Sequence, residues 1–350
     1  MTGVQTCALP IYAYADSNWY AHSIDENITR NLTGRLDVNF YNEDHDYPQD
    51  PRPYFFAGWT EDDEYLLLYD RYDIWKVDPS GKEKPQNLTG GFGRENHIRL
   101  RYAELDRDAK FINTKKDLFL SAFNEDTKAS GFYTVDFDGK SEPEKIVMED
   151  RYYYTPEKAK NADRIIWRRS TFREYPDMWY SRLDFEQAQK ISHANPQQDQ
   201  YVWGDVELVH WTAPNGKKAE GLLYKPENFD PDKKYPMVLY FYRLRSDGLH
   251  RYHTPKPSRS TINRTFYVSN GYLVFVPNIR YDVGYPGESA HEYVTSGTLA
   301  MIDSRPYIDK ERIGLQGQSW GGYQVAHIIT MTDMFAAASA GAPVSNMTSA

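Results

Sequence analysis

The sequence predicts two architectures in one chain: part of a β-propeller over residues 12–204, then an α/β domain with a mostly parallel sheet over 205–350. Three observations carry this. A length of 350 residues is long for one hydrophobic core. Strand-and-turn units recur loosely through the first part. From about Gln200 apolar strands alternate with helix-like runs.

In the first part, Asn31-Leu32-Thr33 recurs 56 positions later as Asn87-Leu88-Thr89. The run Asp73-Ile74-Trp75-Lys76-Val77-Asp78-Pro79-Ser80-Gly81 has counterparts in Gly131–Gly139 and Asp177–Asp184. Each alternates apolar with polar residues and ends in an acidic or Gly-bearing turn, as a strand entering a hairpin does. Tyr65–Tyr69 and Arg164–Trp167 supply further strands. Four-stranded units in series read as propeller blades, of which about three are visible; one irregular β domain is the alternative. Aromatic residues make up 15 % of the chain, which favours strands.

In the second part, Val206–Trp211 and Gly221–Tyr224 read as strands joined through a turn at Pro214-Asn215-Gly216. Met237–Tyr242 is apolar throughout, as a strand buried on both faces is. Next come a helix-like stretch to Asn270, a strand at Tyr272–Val276, a Gly-bearing loop at Arg280–Gly287 and a helix at Ser289–Ile302. A strand at Arg312–Leu315, a helix at Tyr323–Thr330 and a strand near Phe335–Ser339 follow.

A net charge of −9 argues against nucleic acid or an anionic membrane as the main partner. No apolar run approaches the ~18 residues that span a bilayer. Residues 1–11 match neither a blade strand nor a usable signal and resemble a translated sequencing adapter; a lipoprotein signal ending at Cys7 is the rival reading. Cys7 is the only cysteine, so the rest of the chain offers no disulfide, thiolate metal site or cysteine nucleophile. The chain stops at Ala350 inside a small-residue run, and the reading expects a piece open at both ends. Localisation and oligomeric state stay open.

The chemistry concentrates in Gly317-Gln318-Ser319-Trp320-Gly321-Gly322. Here G-x-S-x-G sits between a strand and a helix, the setting of a nucleophile elbow. The turn strains Ser319 so that its hydroxyl stands clear, and Gly317 and Gly321 avoid collisions across the turn. The backbone N–H of Trp320 would face a developing oxyanion.

With the elbow extended to G-Q-S-W-G-G-Y, with Lys234-Tyr235-Pro236 before the buried strand, and with Asn278-Ile279-Arg280…Gly284-Tyr285…Gly287, the chain resembles the prolyl oligopeptidase family of serine peptidases, most of all its dipeptidyl peptidase branch. The match covers most of residues 205–350. It implies a β-propeller followed by an α/β-hydrolase domain, here incomplete. It further implies a peptide substrate, no cofactor and no metal. A periplasmic or secreted location and a homodimer are further expectations from it. By this resemblance Ser319 is the nucleophile and Tyr242 the side-chain oxyanion donor, paired with the Trp320 N–H. Trp320, Tyr323 and Val344 would border the pocket before the scissile bond. Arg243 and Leu244 follow Tyr242 where many relatives have glycines, leaving the loop path open. The triad Asp and His are expected after Ala350, since His327 lies two helical turns from Ser319 and Asp333 is too close in sequence.

Other candidates have bland readings. His250 and His253 lack a third metal ligand and read as a solvated loop. Asp37, Glu43, Asp44, His45, Asp46 and Asp50 lack calcium-loop spacing and read as a solvated linker. Asn27, Asn31, Asn87, Asn263 and Asn346 open N-x-S/T sequons; Asn31 and Asn87 fit turn geometry. Arg280 reads as a buried ion-pair partner rather than a carboxylate clamp. Nothing selects Arg94, Glu95, Glu174 or Tyr175 as ligands for a peptide's amino end. A peptidase is the leading expectation. An acyl esterase or acylaminoacyl peptidase on the same scaffold, and a non-catalytic propeller-based binding protein, are the alternatives.

Overall fold

The structure, a computed structural model, describes residues 11–24, 26–258 and 260–346, with backbone only for 11–13. Residues 1–10 of the adapter-like segment lie outside the described residues; Ile11 opens the first strand. The chain divides into two compact units. The first takes residues up to His45, Gln49–Arg169 and Asp177–Ser192; the second takes Asp46–Pro48, Ser170–Pro176 and His193 onward.

The first unit holds propeller-like antiparallel sheets of consecutive strands. Four are present among the described residues, one more than the repeats suggest. One pairs Ile11–Ala15, Asn18–Ser23 and Ile28–Asn31. The next runs Phe56–Trp59, Leu66–Tyr69, Ile74–Val77, Gln86–Asn87, and the third Ile98–Tyr102, Leu118–Asn124, Ser130–Val135, Glu144–Glu149. The last orders Tyr152–Tyr153, Ile165–Ser170, Met178–Ser181 and Gln189–Lys190, with Glu157–Lys158 on Ile165–Ser170.

The repeated Asn-Leu-Thr has one structural meaning in both copies. Asn31 Oδ1 accepts from the Thr33 and Gly34 N–H groups, and Asn87 Oδ1 from Thr89 N–H, forming Asx turns. Leu32 and Leu88 are buried, and their N–H groups donate to Trp19 and Ile74 carbonyls. Thr33 and Thr89 hydroxyls then accept from Trp19 and Ile74 N–H. The motif thus ties the end of a blade to an inner strand. Asp78 and Asp136 organise the hairpin turns in matching fashion, each accepting several downstream N–H groups.

The second unit is a six-stranded mixed sheet: β1 (Asp205–Thr212), β2 (Lys218–Lys225), β3 (Tyr235–Tyr240), β4 (Leu273–Pro277), β5 (Ile308–Gln318) and β6 (Ala337–Gly341). Its order is β1-β2-β4-β3-β5-β6. The β1–β2 and β2–β4 pairs are antiparallel, and β4–β3, β3–β5 and β5–β6 are parallel. Helices α1 (Arg264–Ser269), α2 (Pro286–Ser304) and α3 (Trp320–Met331) connect the parallel strands.

Alternation decides which residues meet which layer. Met237, Leu239, Leu273 and Phe275 join one core with Ala290, Tyr293 and Val294 of α2 and Val325 and Ile328 of α3. Tyr240, Val274 and Val276 enter the opposite core with Val268 of α1, Phe172, Trp203 and Ile262. Two buried faces explain the continuous apolar run of β3. The strand ends at Tyr240, so Tyr242 stands in the loop beyond it rather than on its last position.

Asp37 and Asp50 are exposed, but Glu43, Asp44 and Asp46 of the acidic cluster are half-buried and paired rather than solvated. Asp44 pairs with Arg71 at 2.9 Å and Glu43 with Arg94 at 3.2 Å in the first unit. Asp46, in the second unit, pairs with Arg243. Local spacing could not reveal partners so distant in sequence. His253 also departs from the solvated reading. It is half-buried beside Phe172, and burial, with Arg264 and Arg251 adding to it, lowers its pKa to about 3. Among the described residues no group of three or more His, Cys, Asp or Glu is placed to hold a metal, and no helix is long and apolar enough to cross a membrane.

Candidate active site

β5 runs straight into α3 with Ser319 as the residue between them. Ser319 has φ 57° and ψ −116°, a conformation rare for a residue with a side chain. The turn is held from both sides: the Ser319 N–H donates to the Gly341 carbonyl at 2.9 Å, and its carbonyl accepts from Tyr323 N–H at 3.0 Å. The result is an exposed Ser319 above the sheet. Tightness of the turn accounts for its glycines. A Cβ on Gly317 would stand 2.2 Å from the Gly321 carbonyl oxygen, and one on Gly321 would stand 2.6 Å from the Phe241 carbonyl oxygen.

Trp320 is the first residue of α3, so its N–H has no acceptor within the helix. It adds to the partial positive charge at the helix start, the charge an oxyanion needs. Tyr242 lies beside the elbow: its Cδ2 is 3.8 Å from where a Gly321 Cβ would stand. Tyr242 is half-buried, with the Arg245 guanidinium 5.4 Å from its ring centroid.

The loop after Tyr242 has a defined path despite lacking glycines. Arg243 donates to Asp46 Oδ1 from Nε (3.0 Å) and Nη2 (2.6 Å), and its carbonyl accepts from Ile279 N–H at 3.1 Å. Asn278, 7 % exposed, accepts from Arg245 and Ser246 N–H at 2.6 and 3.0 Å. The Asn-Ile-Arg stretch therefore pins the Tyr242 loop.

Two residues that sequence reasoning missed join this arrangement. Tyr281 donates its hydroxyl to the Tyr242 carbonyl at 2.6 Å and accepts from Trp320 Nε1 at 2.9 Å. Gln324, fully buried on α3, donates to both the Tyr242 carbonyl and the Tyr281 hydroxyl. The only sequence signal was the position of Tyr281 next to the Asn-Ile-Arg stretch.

The other expected pocket residues are placed as follows. Trp320 packs its indole against Tyr323, with ring centroids 5.2 Å apart. Tyr323 is half-buried, and its hydroxyl lies 2.8 Å from where a Gly287 Cβ would stand at the start of α2. Val344 is half-buried beyond β6. The His327 ring packs on α2, 2.8 Å from where a Gly287 Cβ would stand, and Asp333 is exposed. Arg94 sits among Glu43 and Asp70 in the first unit; in the second, Tyr175 packs on Tyr252. Among the described residues, the Ser319 hydroxyl has no histidine partner.

Residues 258–350 match the prolyl oligopeptidase family. A 160-residue stretch is 31% identical to dipeptidyl peptidase 8 of Mus musculus, covering 39% of this chain and 17% of that protein. A 137-residue stretch is 29% identical to dipeptidyl-peptidase 5 of Porphyromonas endodontalis, covering 35% of this chain and 19% of that protein. Among solved structures, a putative dipeptidyl aminopeptidase IV from Bacteroides ovatus shares the fold at TM-score 0.62 and 20% identity, over 96% of this chain and 52% of that one. The acylaminoacyl peptidase of Pyrococcus horikoshii does so at TM-score 0.58 and 13% identity, over 94% and 49%. The chain thus spans about half the length of these solved proteins, and its matched stretches cover less than a fifth of the curated ones.

Proposed function

We propose that the α/β unit of this chain, in which residues 258–350 match the prolyl oligopeptidase family, carries the nucleophile and oxyanion site of a serine peptidase acting on short peptides. The observation that carries this is the strained, exposed Ser319 at the start of α3, with Tyr242 beside it.

In the proposed reaction, Ser319 Oγ attacks the scissile carbonyl carbon while a general base takes its proton. The carbonyl oxygen becomes an oxyanion and receives hydrogen bonds from the Trp320 N–H and the Tyr242 hydroxyl. A neutral phenol suits this role because it presents one directed donor. The base then returns the proton to the leaving amine, and water cleaves the acyl-enzyme. Among the described residues no histidine is hydrogen-bonded to the Ser319 hydroxyl, so we propose that residues 1–350 by themselves turn over far more slowly than a chain that supplies this base. Cleavage after proline is the preferred substrate reading. The paired aromatic rings of Trp320 and Tyr323 next to Ser319 support it.

The test compares an amide substrate of the form Xaa-Pro-anilide, an N-acylated amino-acid anilide and a simple aryl ester on the intact protein, with Ser319→Ala as control. Ser319-dependent preference for the first supports the proposal. Preference for the second favours an acylaminoacyl peptidase, and hydrolysis of the ester alone favours an esterase. Turnover that survives Ser319→Ala removes the nucleophile assignment altogether.

A further inference from the structure

We propose that Tyr281 is a positioning residue for the oxyanion side of the site, acting through Tyr242; this rests on the function proposed above. Its hydroxyl joins three parts of the α/β unit. It donates to the carbonyl of Tyr242, on the loop after β3. It accepts from the indole of Trp320, the first residue of the nucleophile's helix, and from the amide of Gln324 one turn further along. A phenol has one donor and two acceptor positions, and all three are used. Tyr281 is 7 % exposed, so these groups have little water to turn to if the hydroxyl is lost. Burial, the largest influence, holds the phenol well above its ordinary pKa, so it keeps the proton it donates.

The backbone of Tyr281 is fixed as well. Its N–H donates to Asp46 Oδ2 at 3.1 Å, while Asp46 Oδ1 holds Arg243, the residue that follows Tyr242. One carboxylate therefore ties the Tyr281 backbone and the Tyr242 loop together. Together with Gln324, which donates to the Tyr242 carbonyl directly, Tyr281 thus helps to set the distance from Tyr242 to the start of α3. That distance decides whether a Tyr242 hydroxyl and a Trp320 N–H can reach the same oxyanion. Errors of about 1 Å in such placement cost on the order of 10²-fold in rate. Loss of one of several restraints should cost less, about tenfold.

The experiment is a double-mutant cycle on the intact protein, reading kcat and KM for a peptide anilide together with thermal stability. Tyr281→Phe is expected to lower kcat about tenfold with KM nearly unchanged, and to lower it less than about twofold further in a Tyr242→Phe background. A purely structural role would give the same loss in both backgrounds, and that result overturns the proposal. So does an unchanged kcat in Tyr281→Phe. If Tyr281→Phe does not fold, Trp320→Phe removes an indole donor to the same hydroxyl and leaves the Gln324 bond to the Tyr242 carbonyl in place; a kcat loss confined to the Tyr242 background supports the proposal, and an equal loss in both refutes it. Absence of Ser319-dependent turnover in the unmodified protein sinks the proposed function and this inference together. Ser319-dependent turnover indifferent to these variants sinks this inference alone.

Discussion

Replacing Gly317 by alanine should disable the site while leaving the rest of the sheet in place. The added methyl would stand 2.2 Å from the Gly321 carbonyl oxygen and 2.4 Å from its carbon, against 3.4 Å for ordinary contact, a shortfall of about 1.2 Å. Gly321 has little room to retreat, because the carbonyl oxygen of Phe241 lies 2.6 Å from where its own Cβ would be. The strain must therefore be relieved within the turn that carries Ser319. Overpacking of this kind costs roughly 1–3 kcal/mol of stability. Moving the nucleophile by about 1 Å costs on the order of 10²-fold in rate. Peptide anilide hydrolysis and thermal unfolding of the Gly317→Ala protein measure the two effects. A variant that unfolds within about 1 °C of the parent and retains kcat/KM within about threefold would refute the reasoning, since the elbow would then have room that its geometry denies.

Three further outcomes follow from the structure. Tyr242→Phe should lower kcat by ~10²–10³ with little change in stability, if its hydroxyl serves an oxyanion; steady-state kinetics within about twofold of the parent would make it a packing residue only. Thr89→Val should destabilise the protein by about 1–3 kcal/mol in urea unfolding, because the hydroxyl donates to the buried Asp73 carboxylate at 2.6 Å; a change below about 0.5 kcal/mol would show that Asp73 is satisfied by its other donors. His253 has a folded pKa near 3 against an ordinary 6.5, so between these values the unfolded chain binds a proton that the folded one does not. Its contribution is present above pH ~6.5 and is lost as pH falls toward ~3, by up to about 1.4 kcal/mol per pH unit. The stability difference between the parent and His253→Asn should therefore vary with pH in that window, and a flat difference would contradict the assignment.

How much of this was legible in the sequence depends on the range of each interaction. The elbow was legible because its geometry is local: Gly317, Ser319 and Gly321 lie within five positions and their spacing alone describes the turn. The strands β3 and β4 were legible because burial on both faces leaves no polar residue from Met237 to Leu239 or from Leu273 to Val276. The blades were less so, since strands such as Gln189–Lys190 have only two residues and expose both. The partners of Tyr242 could not be read at all. Asp46 meets Arg243 across 197 positions, and Tyr281 and Gln324 meet across 43. Each is an ordinary surface or core residue until the fold brings the loops after β3 and β4 to the start of α3. The mistaken reading of the 43–46 acidic stretch as solvated has the same origin, because a run of carboxylates shows its own charge but not the arginines that will neutralise it.

The most direct test of the account is to treat the intact protein with a fluorophosphonate and locate the adduct by peptide mass mapping. An elbow serine with an oxyanion site should react, so the account predicts a single modified residue, Ser319, and loss of hydrolysis in step with labelling. An unmodified Ser319 in a protein that still hydrolyses peptide anilides, or an adduct on a different serine that accounts for the lost activity, would contradict it.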